Sequence, residues 1–216
     1  MDDRRRELAK KSVAVLALLF LVNQLVPGIG LVLIPHEGVE RPDPRREPLQ
    51  ENVDGAPQRI ERRRGRDLVV VSRARYDIAA EVVGRDHYRA GVDGALIPWD
   101  LVLAWGKLVD PPYRSKIDYL KTSRFYNWST GDGSLDLGYI GSHSANVHLI
   151  PGSSRIGSVL ARVRTGNTVR LEGDLVDITG PDSFSWRTSL TRSDSGPGAC
   201  ETIYVTAITV GGKRYR

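Results

Sequence analysis

One cysteine, one methionine and three phenylalanines are all that the 216 residues contain of those types. A single thiol excludes an intramolecular disulfide and a Cys-rich zinc site. Of four histidines, only His143 and His148 lie close together. Their spacing of five does not suit two ligands on one helix face, and no acid or thiol near them in sequence adds a third ligand. No metal and no cofactor are expected. The apolar fraction, 40 %, is low for a chain that packs along its whole length, so part of it is expected to stay unfolded. A nucleophile elbow or comparable strained Ser or Cys motif is missing as well. So is a charge of one sign spread over the chain. The net charge is +5, but residues 1–66 hold 13 Lys+Arg and 10 Asp+Glu, and residues 67–216 hold 18 and 16. More than half of the excess sits in the first third, which argues against a broad basic face for nucleic acid.

What the chain does have is one long apolar run. From Ser12 to Ile34 there are 23 residues without a charge, long enough at about 1.5 Å per residue to cross a hydrocarbon core of about 30 Å. Arg4, Arg5, Arg6, Lys10 and Lys11 precede it and place the N-terminus in the cytoplasm by the positive-inside rule. A cleaved signal peptide is the rival reading, since Val13–Val22 has the length of its apolar region, but no small-x-small cleavage pattern follows. The expected layout is a cytoplasmic N-terminus (1–11), a transmembrane anchor (12–34), a tether (35–66) and an extracytoplasmic domain (67–216). The tether, "PHEGVERPDPRREPLQENVDGAPQRIERRRGR", is rich in Pro, Arg and Glu and poor in large apolar residues. Such a segment is expected to be disordered or extended. His36 lies in it without chemical context.

Within 67–216, Leu68–Ser72 reads as a buried strand, and Tyr76, Ile78, Ala80 and Val82 alternate as on a half-buried one. "IPWDLVLAWGKLVDPP" predicts a helix: Pro98 suits its first turn, and Leu101, Ala104, Trp105 and Leu108 share a face. Trp99 and Trp105 are expected in the core. Ser153 or Ser154 caps a helix from Arg155 to Val163 that buries Ile156, Val159, Leu160 and Val163. Three strands follow: Val169–Ile178 with a bulge or bend at Gly173, then Phe184–Leu190, then Thr202–Val210. The expected fold is α+β, a small antiparallel β-barrel or sheet of OB type with flanking short helices, preceded by one transmembrane helix.

Three chemistries are open. Cys200, with His143 or His148 and with Asp194 or Glu201, supplies the residue types of a thiol enzyme or hydrolase, and Ser189, Ser193 and Ser195 are alternative hydroxyls. Alternatively, Ser189 and Arg192, with Tyr126 and Trp128, line a ligand groove. A third option sets Tyr119, Phe125, Tyr126 and Trp128 among Arg114, Lys116, Lys121 and Arg124, the residue mixture of a single-stranded nucleic-acid platform. "SDSGPGA" is strong turn chemistry feeding a strand, and a lone cysteine at a strand's start is expected to point inward as a small hydrophobe.

The phrases "IPWDLVLAWGKLVD", "SHSANVHLIP", "VRLEGDLVDI" and "WRTSLTRSDSGPGACETIYV" together resemble an uncharacterised family of proteobacterial exported or membrane-anchored proteins, over residues 68–210. The resemblance implies a bacterial envelope location and no active site. With the absence of a catalytic motif, the expectation is a single-pass inner-membrane protein whose periplasmic domain binds a partner in the envelope, nucleic acid being the less favoured ligand.

Overall fold

The computed structural model describes residues 41–55, 57–63, 65–194, 196 and 198–216. These belong to the second of two compact units, 38–216. The expected anchor and the start of the expected tether lie outside the described residues, as does Ser195. Among the described residues no helix is long and apolar enough to cross a membrane.

The fold is mostly β-sheet with a few short helices, and one strand organises it. β3 (Arg66–His87) runs for 22 residues, joining the two strands expected at Leu68–Ser72 and Tyr76–Val82. Its buried apolar positions keep the same parity throughout, yet Leu68 and Val70 enter one apolar cluster while Ala74, Tyr76, Ile78, Ala80 and Val82 enter another. A bulge reconciles the two: the register with its neighbour shifts between Ser72 and Ala74, and one extra residue turns the alternation over to the opposite face.

One edge of β3 pairs with β8 (Thr168–Thr179) over Val69–Glu81. Its other edge takes β2 (Gln58–Arg63), β1 (Leu49–Asn52) and β4 (Trp99–Ala104) in turn. β4 pairs with β7 (Ser144–Pro151), β7 runs parallel to β10 (Glu201–Val210), and β10 returns antiparallel to β8. The ring β3–β4–β7–β10–β8 therefore closes on itself, which leaves the five strands without a free outer edge along their paired lengths. Inside it lie Leu101, Leu103, Trp105, Val147, Leu149, Leu171, Ile203 and Val205. α4 (Ser154–Leu160) packs Ile156, Val159 and Leu160 into the same cluster. Its N-terminus is capped by Ser153, whose hydroxyl accepts from the Ile156 N–H at 3.2 Å, as the sequence leads one to expect.

Three sequence expectations need correction. "WDLVLA" is strand β4, not a helix, with every residue buried. An apolar run covered on both faces has no period to read, so the spacing of Leu101, Trp105 and Leu108 was uninformative. The tether reading fails for residues 49–52 and 58–63, which form β1 and β2. These strands cover the edge of β3 and need little apolar surface to do so. They are secured by polar contacts instead: Arg59 Nη2 lies 2.6 Å from Asp174 Oδ2, Arg63 Nη2 donates to the Pro151 carbonyl at 2.9 Å, and the Tyr204 hydroxyl donates to Glu61 Oε1 at 2.6 Å. Finally, the strand expected at Phe184–Leu190 shrinks to β9, Ser185–Trp186. The chain then loops to residue 200, tied to β10 by the Thr202 N–H on Thr188 Oγ1 and the Ser189 N–H on the Cys200 carbonyl. The chain ends on β11 (Lys213–Tyr215), a hairpin partner of β10.

The long connection from β4 to β7 carries a second, two-stranded sheet. This is the hairpin of β5 (Asp118–Thr122) and β6 (Phe125–Ser129), turned at Ser123–Arg124. Before it come α1 (Gly91–Leu96, ahead of β4) and α2 (Pro111–Arg114), and after it α3 (Leu137–Ser142).

Gly173 sits where β8 passes a register shift in β10 between Val205 and Ala207. A Cβ there would lie 2.0 Å from the Tyr204 carbonyl oxygen, so the glycine serves close backbone approach. Gly173→Ala is expected to lower stability in urea unfolding by about 2–3 kcal/mol. Gly141→Ala, in α3 with nothing near its Cβ position, is expected to lose nothing. Equal midpoints for the two variants would contradict this packing.

A candidate binding cleft between the hairpin and the barrel

Asp100 of β4 has no exposed surface, and a buried carboxylate is tolerated only when donors surround it. Three do. His148 Nδ1 lies 2.8 Å from Oδ1, Arg124 Nη1 donates to Oδ1 at 2.8 Å and Lys121 Nζ donates to Oδ2 at 3.1 Å. His148 comes from β7, whereas Lys121 and Arg124 come from β5 and the hairpin turn, so the carboxylate fastens the hairpin to the outside of the barrel. Burial by itself would raise the Asp100 pKa. The hydrogen bond and charge of His148, with the charges of Arg124 and Lys121, outweigh it and hold the group below the usual carboxylate range. Arg124 also stacks on Tyr88, 3.6 Å from its ring centroid, and the His148 ring meets Trp186 edge-on.

The hairpin so held forms one wall of a cleft of about 1010 Å³. Four consecutive residues of β6, 125–128, line it. So do residues 144–146 of β7, which precede the first β7–β10 pair at Val147, and residues 192–194 and 199–201 from the loop and the start of β10. The Tyr126 hydroxyl donates to the Ser144 carbonyl at 2.7 Å, and Asn146 Nδ2 donates to the Arg124 carbonyl at 2.9 Å. Both bonds fix the hairpin's distance from the barrel.

Of the residues singled out from sequence, Phe125, Tyr126, Trp128, Arg192, Ser193, Asp194, Cys200 and Glu201 meet at this cleft. Ser189 does not line it. That side chain is buried, with its hydroxyl 2.7 Å from Asp194 Oδ2, and it shapes the loop. His143 is occupied elsewhere. Its Nε2 lies 2.9 Å from Glu47 Oε1, its Nδ1 2.9 Å from the Ser142 hydroxyl, and its ring stacks on Tyr139. His148 is the Asp100 partner. The constellation of Cys200, a histidine and Asp194 is therefore not assembled: the side-chain partner of the thiol is Asn146 Nδ2 at 3.7 Å. Burial, first of all, raises the thiol pKa, which disfavours the thiolate. Cys200 is half-buried at the cleft, a correction to its expected place in the core. The strand begins at Glu201, one residue later, so the thiol falls where the loop joins the sheet. The cations that a nucleic-acid platform would need are committed as well. Arg114 pairs with Glu81 at 2.6 Å, Lys116 with Asp132 at 2.5 Å, and Lys121 and Arg124 with Asp100, while Tyr119 and Trp128 pack on an apolar cluster around Leu108 and Ile140.

Two buried polar residues complete the cleft: Glu201, named from the sequence only as an alternative acid for Cys200, and Asn146, which was missed in the sequence. Glu201 is 2 % exposed and Asn146 1 % exposed. Glu201 Oε2 and Asn146 Oδ1 have no hydrogen-bond partner among the described residues, an arrangement that costs free energy unless something else satisfies them. Burial pushes the Glu201 carboxyl up to about 8. The charge of Asp194 adds to the effect, and the residue's own backbone N–H and the charge of Arg192 oppose it. At neutral pH this group is therefore a neutral acid with a proton to donate. A signal was available for Glu201, which is in phase with Ile203 and Val205 at a position that its strand buries; Asn146 shares its face with Ser144 and His148 and carries no such sign. Chemically the cleft offers an aromatic wall, an acceptor, an acid and a balanced pair, Arg192 and Asp194. Among the described residues it brings no nucleophile and base into contact.

Compared with family models, curated proteins and solved structures, the chain has no match.

Because the folded pKa of Glu201, about 8, lies above its ordinary value of 4.5, the folded state keeps a proton that the unfolded chain sheds between those two pH values. Stability from this group is full below about 4.5 and falls as pH rises to about 8, with a slope approaching 1.4 kcal/mol per unit. Denaturation midpoints measured at pH 5 and pH 8 should show this loss. In Glu201→Gln the loss should shrink markedly, and an unchanged pH dependence in that variant would contradict the assignment.

Proposed function

We propose that this chain is a single-pass protein of a bacterial inner membrane, with its N-terminus in the cytoplasm and its β-domain in the periplasm, where the domain binds another component of the envelope. The charge-free run 12–34 behind five basic residues supports the anchor and its orientation. The resemblance of residues 68–210 to exported or anchored proteobacterial proteins supports the compartment. The order β3–β4–β7–β10–β8, with its one parallel pair and a helix between the third and fourth strands, supports an OB-type barrel, an architecture whose faces and loops serve as binding surfaces.

One observation carries the binding reading. A cleft of about 1010 Å³ contains two nearly inaccessible side chains, Glu201 and Asn146, each with an unpartnered oxygen. A fold that tolerates this has a site for a ligand to complete. Among the described residues the thiol-enzyme alternative lacks a base beside Cys200, and the nucleic-acid alternative finds Arg114, Lys116, Lys121 and Arg124 committed to carboxylates.

A photo-crosslinking side chain placed at Asn127 in intact cells, with the exposed Asp67 at the start of β3 as the control position, tests this reading. The expected result is a discrete adduct from position 127 only, in a protein whose C-terminal phosphatase fusion is active outside the cytoplasm. Equal labelling from both positions, or a fusion active only inside, overturns it.

A further inference from the structure

β6 has an open edge, and the cleft runs along it. In a two-residue hairpin closed by Thr122 and Phe125, the pairs Thr122–Phe125, Leu120–Asn127 and Asp118–Ser129 exchange backbone hydrogen bonds. Tyr126 and Trp128 then direct their N–H and C=O groups away from β5. None of these four groups has a partner among the described residues. A groove on one face of a strand would meet alternate residues. This one meets 125, 126, 127 and 128, as a groove along an edge must.

On the far side stand Asn146 and Glu201, on opposite faces of the β7–β10 pair, since Glu201 is in register with Val147 and not with Asn146. We infer that an extended segment of a partner protein adds to the outer edge of β6 in this cleft, pairing with the backbone of Tyr126 and Trp128 and presenting uncharged hydrogen-bonding side chains to Asn146 Oδ1 and Glu201 Oε2. The inference rests on the cleft being a binding site, as proposed above. Three features select a polypeptide strand. Successive side chains of an extended segment point to opposite sides, as the two unpartnered oxygens require. Main-chain pairing satisfies groups of β6 that a compact small molecule would leave open. The lining carries one cation, Arg192, beside the anion Asp194, so nothing there neutralises a chain of phosphates. With the Glu201 carboxyl protonated at neutral pH, the floor asks for hydroxyl or carboxamide side chains and not for an ammonium group.

The test uses the full chain in detergent micelles and a phage-displayed library of random cysteine-free dodecapeptides. The sole cysteine, Cys200, reports occupancy of the cleft through its rate of alkylation. Selected peptides should slow that alkylation at least about tenfold. N-methylation of alternate peptide amides should weaken binding about tenfold or more for one alternating set and little for the other, because only one set faces β6. Asn146→Ala should change which side chains are selected while leaving the alternating pattern in place. Peptides that bind without the alternating pattern, or without protecting Cys200, overturn strand addition. Maltotriose, chitotriose and a decathymidylate are run beside them. If one of these protects Cys200 and no peptide does, the cleft is a binding site for another class of ligand and the strand inference falls alone. If nothing protects it, the binding reading falls too.

Discussion

The buried carboxylate of Asp100 is the constraint on which the rest of the site depends. Desolvating a carboxylate costs several kcal/mol or more unless donors replace the lost water, and here the donors come from three places in the chain: His148 on β7, Lys121 on β5 and Arg124 at the hairpin turn. A two-stranded hairpin is marginal alone in water. This one is held because its two cations complete a charge that the barrel has already taken out of solvent. The same contacts remove Lys121 and Arg124 from any role as phosphate ligands and leave the far edge of β6 facing a cleft.

That cleft combines two kinds of unfinished structure. The parallel pairing of β7 with β10 begins at Val147, so residues 144–146 extend past it. Over this gap, Glu201 and Asn146 are buried with oxygens that nothing in the described chain satisfies. Natural domains leave few such groups, and two in one cleft beside an aromatic strand give it the character of a site. The raised pKa of Glu201 follows from the same burial and links the site's protonation to the stability of the fold.

Much of the barrel was legible in the sequence because it obeys local rules. The period of two in Tyr76–Val82, the Ser153 cap and the need for glycine at position 173 each have a physical signature that survives without tertiary context. What was illegible depended on neighbours far along the chain. β4 shows no period because both its faces are covered. β1 and β2 have the composition of a tether because edge strands can be charged. Their order comes from the edge of β3, which composition does not reveal. In the site, Tyr126, Trp128, Arg192, Asp194 and Cys200 were found by residue type. Glu201 was weighed only as an acid for Cys200, although it breaks the apolar phase of its strand, and Asn146 was passed over. A polar residue in phase with a core was the more informative sign, and Cys200, the chain's only thiol, marks the cleft without chemistry of its own.

The central claim is that Asp100 holds the hairpin as a wall of the cleft. Native-state hydrogen exchange in Asp100→Asn tests it directly, since the substitution keeps the shape and removes the charge that Lys121 and Arg124 answer. Amides of residues 118–129 are expected to lose about a hundredfold more protection than those of β8 and β10, in keeping with a broken buried ion pair whose cost falls on the hairpin. Equal loss across the barrel and hairpin, or unchanged protection of residues 118–129, would contradict it.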